Sequence, residues 1–504
     1  MSAMKRVLLV NPTITSRRSS RFPLSLLALA GSLESTHASR IVDGNIDRDY
    51  LATLKRAIAE EHYAAVGVSV MGGPQVKSAI DASRTVRAAS PATPIIWGGY
   101  FPTLYPAAAL NAPYLDYAVR GPGEAAFTEL LSAIDAGDAL AIQTIAGISW
   151  KHGGQIVHNP DRKYADRRSQ ALLPYDLLGD PRAYLVKTFL GSRTAAHQAA
   201  MGCRFRCTFC GVAAMFGGAT TLPHTSRLER DLTWLKEKIG ADSLQFVDHN
   251  FFDREADMVP ILEVLSRIQL PWWCYARADA LLNLSADSWR LARKSRMRMA
   301  YIGAESPNDA MLKSIRKGTT SNQTLEVADL CRHQGVIPEL SFMVAPPVDT
   351  ESETERTFDF IREVKRVNPD SEVIVYIYTP LPAQSLPANS RARARIAPLF
   401  DLAGNPLQFP ATPEEWTEKR WVDYSCHADA PWLTDQLRTR IKNFVTVLGC
   451  RFPTVQDVAA PAWTKMTLKA LAAWRYRFCR YDRPWELTLS KKLIRLADPK
   501  VTSI

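Results

Sequence analysis

Three of the chain's eight cysteines, Cys203, Cys207 and Cys210, stand within eight residues of one another in the run Met201-Gly202-Cys203-Arg204-Phe205-Arg206-Cys207-Thr208-Phe209-Cys210-Gly211. A Cys-x3-Cys-x2-Cys spacing on a short loop bounded by glycines brings three thiolates together. That is enough to hold three corners of a 4Fe-4S cube, and it leaves the fourth iron open to a substrate or cofactor. The same residues also suit half of a zinc site, or three thiols that are simply buried. Zinc more often takes a Cys-x2-Cys pair with a second pair or with histidines downstream. Here Cys274, Cys331, Cys426, Cys450 and Cys479 stand alone, and His249, His333 and His427 have no ligand spacing. The spacing favours the cluster.

A loop of this kind needs a scaffold, and 504 residues with 46% hydrophobic content supply two or three domains. Residues 1–140 alternate short β-rich runs with helical patterns, as a parallel sheet covered on both faces requires. Candidate strands are Arg6 to Val10, Arg40 to Val42, Ala65 to Val70, Pro94 to Trp97 and Tyr117 to Val119. Each ends at small or turn-forming residues: Asn11-Pro12, Asp43-Gly44, Gly72-Gly73-Pro74, Gly98-Gly99 and Gly121-Pro122-Gly123. In open sheets, ligands bind at such carboxyl ends, where glycine lets a cofactor approach the backbone. Residues 141–190 read as a connector with a hairpin at Gly147 to Trp150 and Gln155 to Val157.

Residues 191–390 return to alternating strands and helices, including Leu244 to Asp248, Trp272 to Asp279 and Met299 to Ser306. Polar residues at strand ends in such a barrel line its site. Residues 391–504 form a mainly helical C-terminal region rich in Arg, Pro and Trp. Its segment Trp463 to Trp485 mixes aromatic and basic residues without one clean apolar stripe, so it reads first as a helix packed on the barrel. A lid over a large substrate and a peripheral membrane contact are the alternatives.

Cys203, Cys207 and Cys210, with Phe209 before the last, resemble the cluster loop of the radical S-adenosylmethionine (SAM) enzymes. The preceding segments Val10-Asn11-Pro12, Val42-Asp43-Gly44-Asn45, Gly67-Val68-Ser69, Gly98-Gly99-Tyr100-Phe101-Pro102-Thr103 and Gly121-Pro122-Gly123-Glu124 resemble the cobalamin-binding domain of one branch of that family. That branch includes class B methylases and anaerobic magnesium-protoporphyrin monomethyl ester cyclase-like proteins. A generic flavodoxin-like domain with another ligand is the alternative for the first segment.

The resemblance implies a Rossmann-like cobalamin domain followed by a partial (β/α)6 barrel. It assigns Cys203, Cys207 and Cys210 to the catalytic 4Fe-4S cluster, whose open iron binds SAM and whose electron cleaves it to a 5′-deoxyadenosyl radical. It places Asn11, Asp43, Asn45, Ser69, Gly98, Gly99, Gly121, Gly123 and Glu124 at cobalamin, and Asp248, Arg277, Gly303, Glu305 and Ser306 near SAM, cluster or substrate. Lys317, in Arg316-Lys317-Gly318, reads equally as a solvated helix end.

The chain also departs from the family's pattern. The loop Asn11 to Arg18 has no histidine to ligate cobalt from below, and Phe101 stands where many relatives carry histidine. Ala345-Pro346-Pro347-Val348-Asp349-Thr350 replaces a usual Gly-x-Pro-Gly-Glu-Thr, and Tyr378-Thr379-Pro380-Leu381-Pro382-Ala383 replaces a usual Pro-Gly-Thr.

The net charge of +11 attracts anions, but no Lys/Arg run is dense enough to indicate nucleic acid. No signal-peptide pattern, no long apolar span and no framework of paired cysteines together point to the cytoplasm. The activity expected from both cofactors is methyl transfer from SAM through methylcobalamin to an unactivated carbon. Cyclisation or oxidation without methyl gain is the second expectation, and a non-enzymatic cobalamin carrier the third. The partners implied are a small-molecule substrate, large and flat or lipid-like, and an electron donor such as flavodoxin or ferredoxin.

Overall fold

Val7, Leu8, Leu9 and Val10 have no exposed surface. A run that is apolar at every position belongs to a strand covered on both faces. In the computed structural model, which describes residues 4–163, 172–381, 399–458 and 461–494, this run is the centre of β1 (Lys5–Asn11). β2 (His37–Asp43), β3 (Ala65–Ser69), β4 (Ile95–Gly98) and β5 (Tyr117–Val119) join it in a parallel sheet of order β2-β1-β3-β4-β5. Val7 and Leu9 pack with Leu26 and Phe127 on one face, and Leu8 and Val10 with Leu54 and Val76 on the other.

The predicted connector hairpin, β6 (Ile148–His152) and β7 (Gln155–His158), instead extends this first sheet, with β6 antiparallel to β5. Alternation alone does not reveal which sheet edge a hairpin joins. Part of the polar stretch that follows it, residues 164–171, lies outside the described residues.

The second sheet is parallel throughout, in the order β8 (Thr194–His197), β11 (Ser243–Phe246), β12 (Trp272–Ala276), β13 (Met297–Glu305), β14 (Ile337–Val344) and β15 (Glu372–Ile377). Two-residue strands β9 (Met201–Gly202) and β10 (Thr220–Thr221) pair beside the cysteine loop. Asp248 lies beyond the end of β11, and Asp279 belongs to a short helix, Ala278–Leu282, rather than to the predicted strand.

The C-terminal region straps the first sheet to the second. Trp416 packs on Tyr105 and Phe101 at ring distances of 4.3 and 5.8 Å, Tyr114 donates to Glu414 at 3.1 Å, and Trp432 Nε1 donates to the Ala345 carbonyl at 2.9 Å. Phe101 is therefore a core residue, only 1% exposed. The helix Ala462–Arg477 packs on the helix Asp435–Arg451. Packing covers only one side of it: Leu468 and Ala472 are buried while Trp463, Trp474 and Phe478 are exposed, a division the sequence pattern did not resolve.

Candidate functional site

The cysteine loop is pinned at several points. Gly202 takes φ +84°, where a Cβ would overlap the Ala219 carbonyl, and its amide donates to His249 Nδ1 at 3.2 Å. Asp248, without exposed surface, accepts from the amides of Ala199 and Ala200 and so holds the segment leading into the loop. Burial pushes the Asp248 carboxyl up to about 7 against those hydrogen bonds. Inside the loop, the Thr208 amide donates to the Ile315 carbonyl at 3.0 Å, and Phe209 packs on a cluster containing Leu312, Ile315, Met343 and Tyr378. The Thr208 hydroxyl also hydrogen-bonds Tyr378.

The three thiols are all partly exposed and none is in a disulfide. Burial raises all three, Cys210 to about 12, while Lys317 and Arg277 pull Cys207 back down. Cluster ligation needs thiolates, so nearby buried cations favour the ligating form. Among the described residues, no three His, Cys, Asp or Glu side chains converge closely enough to hold a single metal ion. Three thiols on one loop are the donor set that three corners of a 4Fe-4S cluster require.

Behind Cys207 lies a buried charged group. Lys317 is a buried ion-pair partner, not a solvated helix end: its Nζ donates to Glu305 Oε1 at 2.6 Å, with both side chains under 9% exposed. Glu305 takes φ +66°, and a Cβ at Gly303 would overlap its carboxylate. Arg277 donates through Nε and Nη2 to Asp279 at 2.9 and 3.0 Å, donates to the Lys317 carbonyl at 2.6 Å, and stacks 3.5 Å over the ring of Phe205. These contacts bring Gly303, Glu305 and Arg277 together at the cysteine loop. Ser306 is turned into a local turn, its hydroxyl accepting from the Asn308 amide at 3.0 Å.

In the remodelled segment after β14, Ala345 and Asp349 adopt φ of +57° and +50°. Such left-handed backbone costs about 1–2 kcal/mol for a non-glycine residue. The Thr354 hydroxyl, accepting from the Ala345 amide, and the Trp432 indole hold Ala345 in place. Pro382 and Ala383 of the other unusual segment lie outside the described residues.

The strand ends of the first sheet face this loop across a cavity with about 1270 Å³ of space, part of it open to solvent. Ser69, Gly98, Gly99, Gly121, Gly123 and Glu124 line one side, and His197, Gln198, Met201, Met215, Phe216, Arg227 and Asp231 the other. The cavity continues between Leu26, Leu29, Gly67, Ile96 and Phe127 of the first domain. Gly99 and Gly121 have φ of +99° and +71°, and a Cβ at Gly121 would lie 3.0 Å from the Met215 carbonyl. An apolar lining with bare backbone at Gly98, Gly99 and Gly121 suits a large planar cofactor such as cobalamin.

Asn11, Asp43 and Asn45 do not line this cavity. Asp43 accepts from Asn11 Nδ2, from the Asn45 amide and Nδ2, and from the Tyr184 hydroxyl, all at 2.9–3.1 Å. Asn45 Oδ1 accepts from the amides of Ile14 and Thr15. The three tie together the loops after β1 and β2. In this structure they position the two loops, as short polar side chains at strand ends satisfy one another when buried.

Sequence reading missed Tyr100. Its ring occupies the space a Cβ at Gly211 would need, and its hydroxyl accepts from the Gly211 amide, so the first domain touches the residue next to Cys210. Nothing in the sequence marks this pairing across 111 positions. The inner face of the second sheet was also missed. Trp273 and Tyr275, Tyr275 and Tyr301 stand 4.6 and 4.9 Å apart by ring centroids, and Tyr301 donates to the Tyr376 hydroxyl at 3.2 Å. Trp272, Cys274 and Ala276 point the opposite way into the core.

Comparison with known proteins agrees with this geometry. Residues 11–131 match the B12 binding domain and residues 199–361 the radical SAM superfamily. The chain is a cobalamin-binding-domain protein of the radical SAM superfamily. Within that class it is 24% identical over 372 residues to an uncharacterized methyltransferase of Pyrococcus horikoshii, covering 72% of this chain and 79% of that one. It is 25% identical to the anaerobic magnesium-protoporphyrin IX monomethyl ester cyclase of Synechocystis, covering 56% of this chain and 55% of the cyclase. The fold is shared with OxsB, a cobalamin-dependent SAM radical enzyme solved with aqua-cobalamin and SAM, at TM-score 0.68 and 15% identity over 98% of this chain and 76% of that one. It is likewise shared with the methyltransferase TsrM of Kitasatospora setae, at TM-score 0.62 and 16% identity over 98% and 100%.

Proposed function

We propose that this chain is a cobalamin-dependent radical SAM enzyme that breaks a C–H bond of a small molecule in the barrel lumen and completes the reaction by oxidation or ring formation. The observation behind this reading is the direct apposition of the two sites. Tyr100 seats on Gly211, and the glycine-walled cavity runs up to Met201 and Met215 on either side of the cysteines. When bound, the cluster supplies the electron that cleaves SAM to a hydrogen-abstracting radical, and cobalamin supplies a redox-active cobalt beside it.

The chain's own residues hold and shield these groups. Cys203, Cys207 and Cys210 would ligate the cluster, Lys317 and Arg277 would offset its thiolate charge, and Gly303, lacking a side chain, leaves the space that the Glu305–Lys317 pair fills. Trp273, Tyr275, Tyr301 and Tyr376 give the lumen aromatic walls suited to a flat or ring-containing substrate. An electron donor of the flavodoxin or ferredoxin type is the partner this chemistry requires.

The similarity to two magnesium-protoporphyrin monomethyl ester cyclases supports oxidation or cyclisation. Methyl transfer is the second reading, supported by the similarity to the Pyrococcus protein and to TsrM. The test is anaerobic turnover of the reconstituted, reduced protein with methyl-deuterated SAM. 5′-Deoxyadenosine with no deuterated methyl in the product supports the first reading. A labelled methyl establishes the second, and no SAM cleavage with cluster and cobalt intact overturns the first.

A further inference from the structure

The helix Ala462–Arg477 and the helix Trp485–Ile494 take no part in the site above, yet they expose more large apolar surface than their surroundings. Trp463, Met466, Trp474, Phe478, Trp485 and Leu489 are each between 51% and 72% exposed. Positions 463, 466, 470, 474 and 478 recur at steps of three and four, so they form one stripe along the first helix. Thr464, Leu468, Ala472 and Arg475 are buried on its opposite side. The helix is thus packed through one face and apolar on the other, which is uncommon for a surface that meets only water.

The charge around this stripe is predominantly positive. Between Pro461 and Ile494 there are eight Lys/Arg and two acids. Both acids lie against arginines: Asp482 near Arg440 at 3.7 Å, and Glu486 in a hydrogen-bonded pair with Arg475. Lys469, Arg477, Arg480 and Arg483 remain exposed. A tryptophan-rich apolar ridge bordered by unneutralised cations matches the interface of an anionic bilayer, with indoles at headgroup depth and cations at the phosphates. A second copy fits less well, because it would bring two basic faces together. No helix among the described residues is long and apolar enough to cross a membrane, so the contact is peripheral.

We propose that this C-terminal helix pair docks the protein on the surface of membranes containing anionic lipids. The contact is independent of the reaction assigned to the barrel.

The test uses the full chain with phosphatidylcholine vesicles, with and without phosphatidylglycerol, read by co-sedimentation and by quenching of tryptophan with brominated lipid. Binding to the anionic vesicles is expected to exceed binding to neutral ones by roughly tenfold and to weaken as salt rises. A W463S/W474S/F478S variant should lose binding and quenching by a similar factor, while K469E/R477E should lose the anionic preference. All three apolar positions are exposed, so unchanged circular dichroism and melting check the fold. Absence of binding, equal binding to both vesicle types, or anionic binding unaffected by the triple variant would overturn the proposal. A concentration-dependent dimer abolished by the triple variant, without vesicle binding, would assign the ridge to a second copy instead and equally overturn it.

Discussion

The carboxyl ends of β3, β4 and β5 present Ser69, Gly98-Gly99 and Gly121-Pro122-Gly123 to the cavity, whereas those of β12 and β13 present Arg277 and Glu305 to the cysteine loop. Both sets lie at the carboxyl ends of parallel strands. The first removes side chains so that a large cofactor can lie on backbone. The second buries charges in pairs beside the thiols of the cysteine loop, in a poorly solvated place. One fold principle thus serves two opposite kinds of recognition, and each should fail in its own way when altered.

The largest expected effect is from Cys203→Ala. Iron in the anaerobically reconstituted protein should fall to near background while cobalamin content is kept. Loss of both together would show that the two sets of strand ends are not separable.

Gly121→Val is the reverse experiment. A valine at φ +71°, with its Cβ 3.0 Å from the Met215 carbonyl, enters the cavity wall. Bound cobalt should drop by roughly tenfold with iron unchanged. Retention of cobalt would mean that the cofactor does not use this wall.

Lys317→Met leaves Glu305 buried without its partner, and breaking one side of a buried pair costs about 3–5 kcal/mol. Denaturant unfolding of the variant should show that loss, and adding Glu305→Gln should recover part of it. A loss below about 1 kcal/mol would show that water reaches the pair.

A smaller effect separates the sheet's charged top from its far end. Glu339 on β14 accepts from Trp273 Nε1 at 3.0 Å and Gln456 Nε2 at 2.5 Å, and burial pushes its carboxyl from an ordinary 4.5 up to about 7. The folded state holds this proton more tightly than the unfolded chain. Its contribution is therefore fully present below about pH 4.5 and is lost as pH rises through 7. Relative to the parent, Glu339→Gln should remove about 3 kcal/mol of pH dependence between those limits, measured by unfolding across the range. Identical slopes would place an exposed carboxylate at this position.

Much of this organisation was legible before folding. The all-apolar Val7 to Val10, the glycines after the fourth and fifth strands, and the cysteine spacing depend only on local periodicity and backbone freedom. That Asn11, Asp43 and Asn45 bond one another was not legible, because a polar side chain at a strand end looks the same in sequence whether it meets a ligand or its neighbours. Lys317 stayed open between two readings for a related reason, since its partner Glu305 becomes visible only in the folded chain.

By itself the sequence determined two runs of alternating strands and helices and a loop of thiols spaced for a cluster, because these follow from side-chain periodicity and near-neighbour spacing. Tertiary structure alone decided that Tyr100 meets Gly211, that β6 and β7 extend the first sheet, that Trp416 ties the C-terminal region to the first domain, and that Trp463 and Trp474 face outward. Each of these depends on packing between segments far apart in the chain, which no local pattern encodes.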